Sequence, residues 1–180
     1  MLVKTGLSGV GVLDNFKNQM TTNFVRSGDW RIVKQKDNKY LIMQHAFDGT
    51  VFFDHVQFIE SYLDKLYNRN FTSILCGGLG MGIAPFLTQP FCTKVDVVEL
   101  DAEVIDLVKN NTNYLHPKVN IIQGDIMTHV TNEKYDVILI DIWVNNIEAF
   151  NQQKPILEAK YAANLNPGGL LYFPLADRLP

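Results

Sequence analysis

Cysteine is nearly missing from this chain. Its 180 residues hold two, Cys76 and Cys92, and no C-x-x-C pair. That excludes a disulfide-stapled fold and a cysteine-built zinc site, and leaves two buried structural thiols as the expectation. The four histidines, His45, His55, His116 and His129, show no ligand spacing, so no metal is expected. Basic residues are also in short supply: 16 Lys and Arg face 19 Asp and Glu, a net charge of −3. This gives no electrostatic footprint for duplex nucleic acid, so no nucleic-acid partner is expected. There is no apolar run approaching the roughly 20 residues a membrane span needs, and no charged-then-apolar leader. The reading is a cytoplasmic protein with no membrane partner. No internal repeat or low-complexity tract interrupts the chain.

What is present is ordinary globular composition, 47% hydrophobic and 19% charged, enough for one sizeable core. Residues 1–28 show no sustained period. From Asp29 the sequence "DWRIVKQKDNKYLIMQHAFDGTVFF" has β-rich runs at 31–34, 40–44 and 51–53, broken by "KDNK" and the turn dipeptide Asp48-Gly49. The division that follows is an N-terminal segment, 1–55, with a small antiparallel β region, and a second unit, 56–180. In the latter, Val56, Ile59, Leu63 and Leu66 mark an amphipathic helix. Apolar strands are then predicted at 73–77, 94–100, 119–124, 135–141 and 169–175, with helices at 83–89, 102–113 and 147–164. Strands of near-continuous Val, Ile and Leu belong to a parallel sheet covered on both faces. The alternation predicts a Rossmann-like, doubly wound α/β domain with right-handed crossovers.

In such sheets a ligand lies at the carboxyl ends of the strands. The first strand runs into "GGLGMG", with Gly78, Gly80 and Gly82 just ahead of a helix. Glycines let backbone turn sharply and approach a ligand, although a tight turn alone would use them as well. The second strand ends in Glu99, 21 positions beyond Gly78. That spacing suits a carboxylate accepting from ribose hydroxyls. The third ends in "QGD": Asp125 could accept from an exocyclic amine beside Ile126 and Met127, or cap a short helix beginning at "DIMTHV". The fourth ends at Asp141, where a carboxylate would overhang the reacting end of a cofactor. Trp143 follows, either as a pocket wall or as packing.

These residues resemble the class I S-adenosylmethionine-dependent methyltransferase superfamily, and within it the spermidine synthase-like branch. "ILCGGLGMG" is similar to its glycine motif, "VDVVELDAEVIDLVK" to its acidic second strand, and "VNIIQGD", "YDVILID" and "LNPGGLLYF" to its third, fourth and fifth strands. The resemblance implies S-adenosylmethionine, or its decarboxylated form, as cofactor. Gly78, Leu79, Gly80, Gly82, Glu99, Leu100, Asp125, Ile126 and Asp141 would then be its binding residues. Asp141 would orient or deprotonate a small-molecule acceptor, with Trp143, Asp54 and His55 on the substrate side. Asp54, Phe58 and Glu60 echo that branch's D-E-x-x-Y-H-E segment, with His55 standing where it has glutamate. Aminopropyltransferases continue the fourth strand as D-[S/A]-x-D-P, whereas this chain reads Asp141-Ile142-Trp143-Val144-Asn145 and lacks the second acid.

The expectation is therefore a transferase acting on an unidentified small acceptor. Aminopropyl transfer is the alternative, and a protein that binds or degrades S-adenosylmethionine without group transfer is a third reading. The N/D-P-P-Y/F motif of DNA and protein amino-group methyltransferases is absent. The resemblance carries the fold only to its fifth strand, without the usual last strands, and the exposed sheet edge predicts a homodimer or cover by the N-terminal segment.

Overall fold

The computed structural model describes residues 11, 14, 15, 17, 18, 24–34, 40–45, 51–143 and 146–178. Two sheets share the chain. The first is antiparallel, with strands β1 (Phe24–Ser27), β2 (Trp30–Lys34), β3 (Tyr40–His45) and β4 (Val51–His55) in that order. Its first strand falls in the stretch that shows no period in the sequence. Four residues are too few to display an alternation, and the signal lies in the pairing of Phe24 with Val33 and Ser27 with Trp30.

Helix α1 (Val56–Leu66) follows directly, burying Ile59, Tyr62, Leu63 and Leu66 on one face. The second sheet then forms from β5 (Ser73–Gly77), β6 (Lys94–Glu99), β7 (Val119–Gln123), β8 (Tyr135–Ile140) and β9 (Leu165–Tyr172). All pairs are parallel and the order is β7-β6-β5-β8-β9. The crossovers carry α2 (Ile83–Thr88), α3 (Ala102–Asn111) and α4 (Ile147–Tyr161). Strands β5, β6 and β8 are buried almost throughout, as continuous apolar runs covered on both faces require. Strand order reverses between β5 and β8, so the crevice opens where these two strands end.

Several boundaries differ from the sequence expectation by one to three residues, and the fifth strand by more. Helix α3 stops at Asn111 because Thr112 is extended (φ −133°, ψ 162°). "DIMTHV" forms a turn, with no helix. The fifth strand runs over Leu165–Tyr172, and Pro174–Arg178 is a 3-10 helix. The sequence starts this strand at residue 169, yet "NPGG" is a bulge inside it: Tyr135 pairs with Leu165, and the next partnership is Val137 with Leu170. Pro167 donates no hydrogen bond and Gly168 has φ 77°, both tolerated on an edge strand.

The two sheets share one core. Trp30, Ile32 and Met43 of the antiparallel sheet pack in the same cluster as Ile59, Leu66, Ile74 and Val97. The β1–β2 turn is tied to α3, where Trp30 Nε1 donates to Asp101 Oδ2 (2.7 Å) and the Asp29 N–H to Glu103 Oε2 (2.9 Å). Ser27 Oγ also donates to Asp106 Oδ2. The outer edge of β9 pairs with no described strand.

Candidate cofactor and acceptor site

The carboxyl ends of β5, β6, β7 and β8 bring the strand-end residues to one crevice. The loop after β5 is left-handed at three glycines, with φ 93° at Gly78, 50° at Gly80 and 84° at Gly82. At Gly78 a side chain is impossible without rearrangement, since a Cβ would lie 2.7 Å from the Asp141 carbonyl oxygen. Gly80 is the opposite case: no atom lies within 4 Å of where its Cβ would be, so its backbone borders open space. Gly82 precedes α2 and closes the turn with a hydrogen bond from its N–H to the Leu79 carbonyl (2.8 Å).

Glu99 holds this loop in place. Its Oε2 accepts from the Leu79 N–H (2.7 Å) and its Oε1 from the Asp101 N–H (2.9 Å). One carboxylate thus joins the glycine loop to the start of α3, where Asp101 Oδ1 caps the helix by accepting from the Glu103 N–H (2.8 Å). Leu79 is buried, whereas Leu100 is 68% exposed at the end of β6. An apolar side chain left in solvent at a strand end in the crevice suits the face of a base.

Asp125 accepts from the Met127 N–H through Oδ1 (2.8 Å), and its carbonyl accepts from Thr128 and His129. This fixes an Asx-type turn after β7. Ile126 is buried against the end of β5, where a Cβ on Gly77 would meet its Cγ1 at 2.8 Å.

Asp141 follows β8 and is clamped from two sides. Its N–H donates to the Gly77 carbonyl (2.9 Å), and its carboxylate Oδ2 accepts from the Tyr62 hydroxyl (2.5 Å). Tyr62 comes from α1 and does not stand out in the sequence, where it is one more apolar position between Ile59 and Leu63. The available signal was chemical: a buried tyrosine needs a partner for its hydroxyl.

The structure does not bring every candidate to the crevice. Trp143 is buried in an aromatic cluster, with its ring 5.0 Å from that of Phe150 and 6.1 Å from Phe173, and its Nε1 donates to Gln153 (2.7 Å). Asp54 and His55 close β4, opposite Leu41 and Tyr40, and their side chains lie outside the described residues. No group of three His, Cys, Asp or Glu suited to a metal ion occurs among the described residues. None of the described helices is long and apolar enough to cross a membrane.

The residues present fit an adenosyl cofactor in kind: backbone facing open space at Gly80, the Glu99 carboxylate at the end of β6, and the exposed apolar side chain of Leu100 next to it. Solved structures agree on the architecture. NodS, an N-methyltransferase from Bradyrhizobium japonicum WM9, matches 65% of this chain and 65% of its own with a TM-score of 0.53 at 19% identity. Its complex with S-adenosyl-L-homocysteine gives 0.52 at 18% identity, over 65% and 59%. The glycopeptide N-methyltransferase MtfA complexed with sinefungin gives 0.51 at 17%, over 63% and 51%. The chain has the fold of class I S-adenosylmethionine-dependent methyltransferases.

No family model matches it. Among curated proteins it is similar to putrescine N-methyltransferases of Nicotiana tabacum. It is 28% identical to form 2 over 142 residues, 72% of this chain and 38% of that protein. Form 4 is 27% identical over 142 residues, 72% and 35%. The chain therefore spans little more than a third of the length of these relatives.

Proposed function

We propose that this chain is the catalytic unit of an S-adenosylmethionine-dependent methyltransferase acting on a small amine. The observation that carries the reading is the clamp at the switch point, where Asp141 is bonded to Gly77 and packs against Gly78, beside a glycine loop held by Glu99. Likeness to putrescine N-methyltransferases supports an amine acceptor.

When bound, S-adenosylmethionine would supply an electrophilic methyl group to an amine nitrogen and leave as S-adenosylhomocysteine, with the proton of the amine left for a base of the protein to take. Gly78, Leu79, Gly80 and Gly82 would pass along the cofactor, and Glu99 would accept from its ribose hydroxyls. Leu100 and Ile126 would border the adenine, with Asp125 accepting from its amine. Asp141 would attract a cationic amine to the crevice, orient the nitrogen and accept its proton. Most of the rate gain would come from that positioning.

The test is incubation with methyl-labelled S-adenosylmethionine and putrescine, followed by mass analysis. N-methylputrescine and S-adenosylhomocysteine in equal amounts support the proposal. Product from decarboxylated S-adenosylmethionine alone would instead mean aminopropyl transfer, and binding without any product would mean a sequestering protein.

A further inference from the structure

We propose that Tyr62 is the positioning residue for Asp141, fixing the carboxylate that faces the acceptor by a hydrogen bond from the buried side. The proposal rests on the reading of Asp141 as the acceptor-facing acid.

Tyr62 is 4% exposed, so its hydroxyl is not itself offered to a ligand in solvent. It donates to Asp141 Oδ2 at 2.5 Å, a length typical of a hydroxyl bonded to a carboxylate. The backbone of Asp141 is already fixed by its hydrogen bond to Gly77 and by the close approach of Gly78. The short bond from Tyr62 to one oxygen restricts rotation of the carboxylate plane. Tyr62 is in turn held. Its ring meets that of Tyr172 edge-on at 6.5 Å, and the Tyr172 hydroxyl donates to Asp177 (3.2 Å). Asp177 pairs with Lys65, which lies on the same helix as Tyr62 (3.4 Å). These contacts tie α1 to β9 and the 3-10 helix beyond it, while the bond to Asp141 ties it to the end of β8.

Two other buried tyrosines end on backbone carbonyls, Tyr114 on Met81 and Tyr161 on Ile126. Tyr135, however, donates to the carboxylate of Asp96 at the amino end of β8, away from the crevice. A tyrosine–carboxylate pair can therefore serve folding alone, and the test needs a readout that a folding role would not move.

The experiment compares wild type, Y62F, D141N and the double variant in the full chain, measuring S-adenosylmethionine affinity by calorimetry and turnover of putrescine. Y62F is expected to keep cofactor affinity within about twofold while kcat falls about tenfold, the scale of one hydrogen bond to a charged group. The double variant is expected to be no slower than D141N, because the two residues act as one unit. Unchanged kcat in Y62F, or losses that multiply in the double variant, overturn the proposal.

If wild type methylates no putrescine, the transfer reading fails separately, and the carbon-13 shift of the Asp141 carboxyl in the unliganded protein decides. A shift displaced in Y62F supports the bond, and a coincident one overturns it. Should Y62F not fold, 3-fluorotyrosine at Tyr62, which alters donor strength with little change of shape, takes its place with the same expected directions.

Discussion

Glu99 shows how much a single carboxylate can organise: both its oxygens accept backbone N–H groups, from Leu79 and from Asp101. In E99Q one oxygen becomes an amide nitrogen that would point at an N–H donor. A loss of about 1–3 kcal/mol is expected from the unpaired groups. Amide exchange at Leu79 should speed up, and calorimetry should find S-adenosylmethionine affinity at least about tenfold weaker. Unchanged exchange at Leu79 would show that the loop holds its shape without Glu99.

Asp136, at the other end of the sheet, offers a pH test. Burial alone would raise its pKa. The Thr72 N–H, the Asn166 amide, and the hydroxyl and N–H of Ser73 outweigh that and bring it down to about 2. Against about 3.9 for an unfolded aspartate, the folded pKa is depressed. The stabilisation is therefore present above about pH 4 and is lost as pH falls towards 2. Urea denaturation of wild type and D136N should differ most at neutral pH and converge between pH 4 and 2; a pH-independent difference would remove the carboxylate from the account.

The strand-end placement of Glu99, Asp125 and Asp141 was legible in the sequence because each acid follows an apolar run. Tyr62 was not. Its partner is 79 positions away, and a tyrosine on a helical stripe looks like any other core residue.

At the scale of elements, the glycine loop separates two reasons for glycine. Gly78 combines φ 93° with a Cβ position 2.7 Å from the Asp141 carbonyl oxygen, whereas Gly80 has φ 50° and open space around it. In G80A only the left-handed backbone is penalised, at about 1–2 kcal/mol. G78A adds a clash with backbone that cannot move without shifting β8. Chemical denaturation should find G78A the less stable of the two, and equal losses would mean that the β5–β8 junction relaxes freely.

The central strands were readable because burial on both faces leaves unbroken Val, Ile and Leu, and β5 spans Ser73–Gly77 as the sequence predicts. Strand β9 was misplaced because its bulge carries Pro167 and Gly168, which mark turns everywhere except at bulges and edges. Strand β1 was missed because its four residues gain their structure from Trp30–Lys34 across the turn.

On the scale of the whole molecule, the antiparallel sheet is not a loose attachment, since Trp30 joins the main core and bonds Asp101 beside the Glu99 clamp. The doubly wound parallel arrangement followed from the regular alternation of strand and helix. The docking of the β1–β2 turn on α3 did not. It rests on long-range polar pairs, Trp30 with Asp101 and Ser27 with Asp106, that no local pattern announces. The same arrangement makes the proposed cofactor crevice the meeting point of four strand ends, and the proposed function depends on that crevice taking an adenosyl ligand. Calorimetric titration of the purified chain with S-adenosylmethionine tests this most directly. The account predicts saturable binding at a single site per chain that is displaced by S-adenosylhomocysteine, and the absence of binding by either ligand would contradict it.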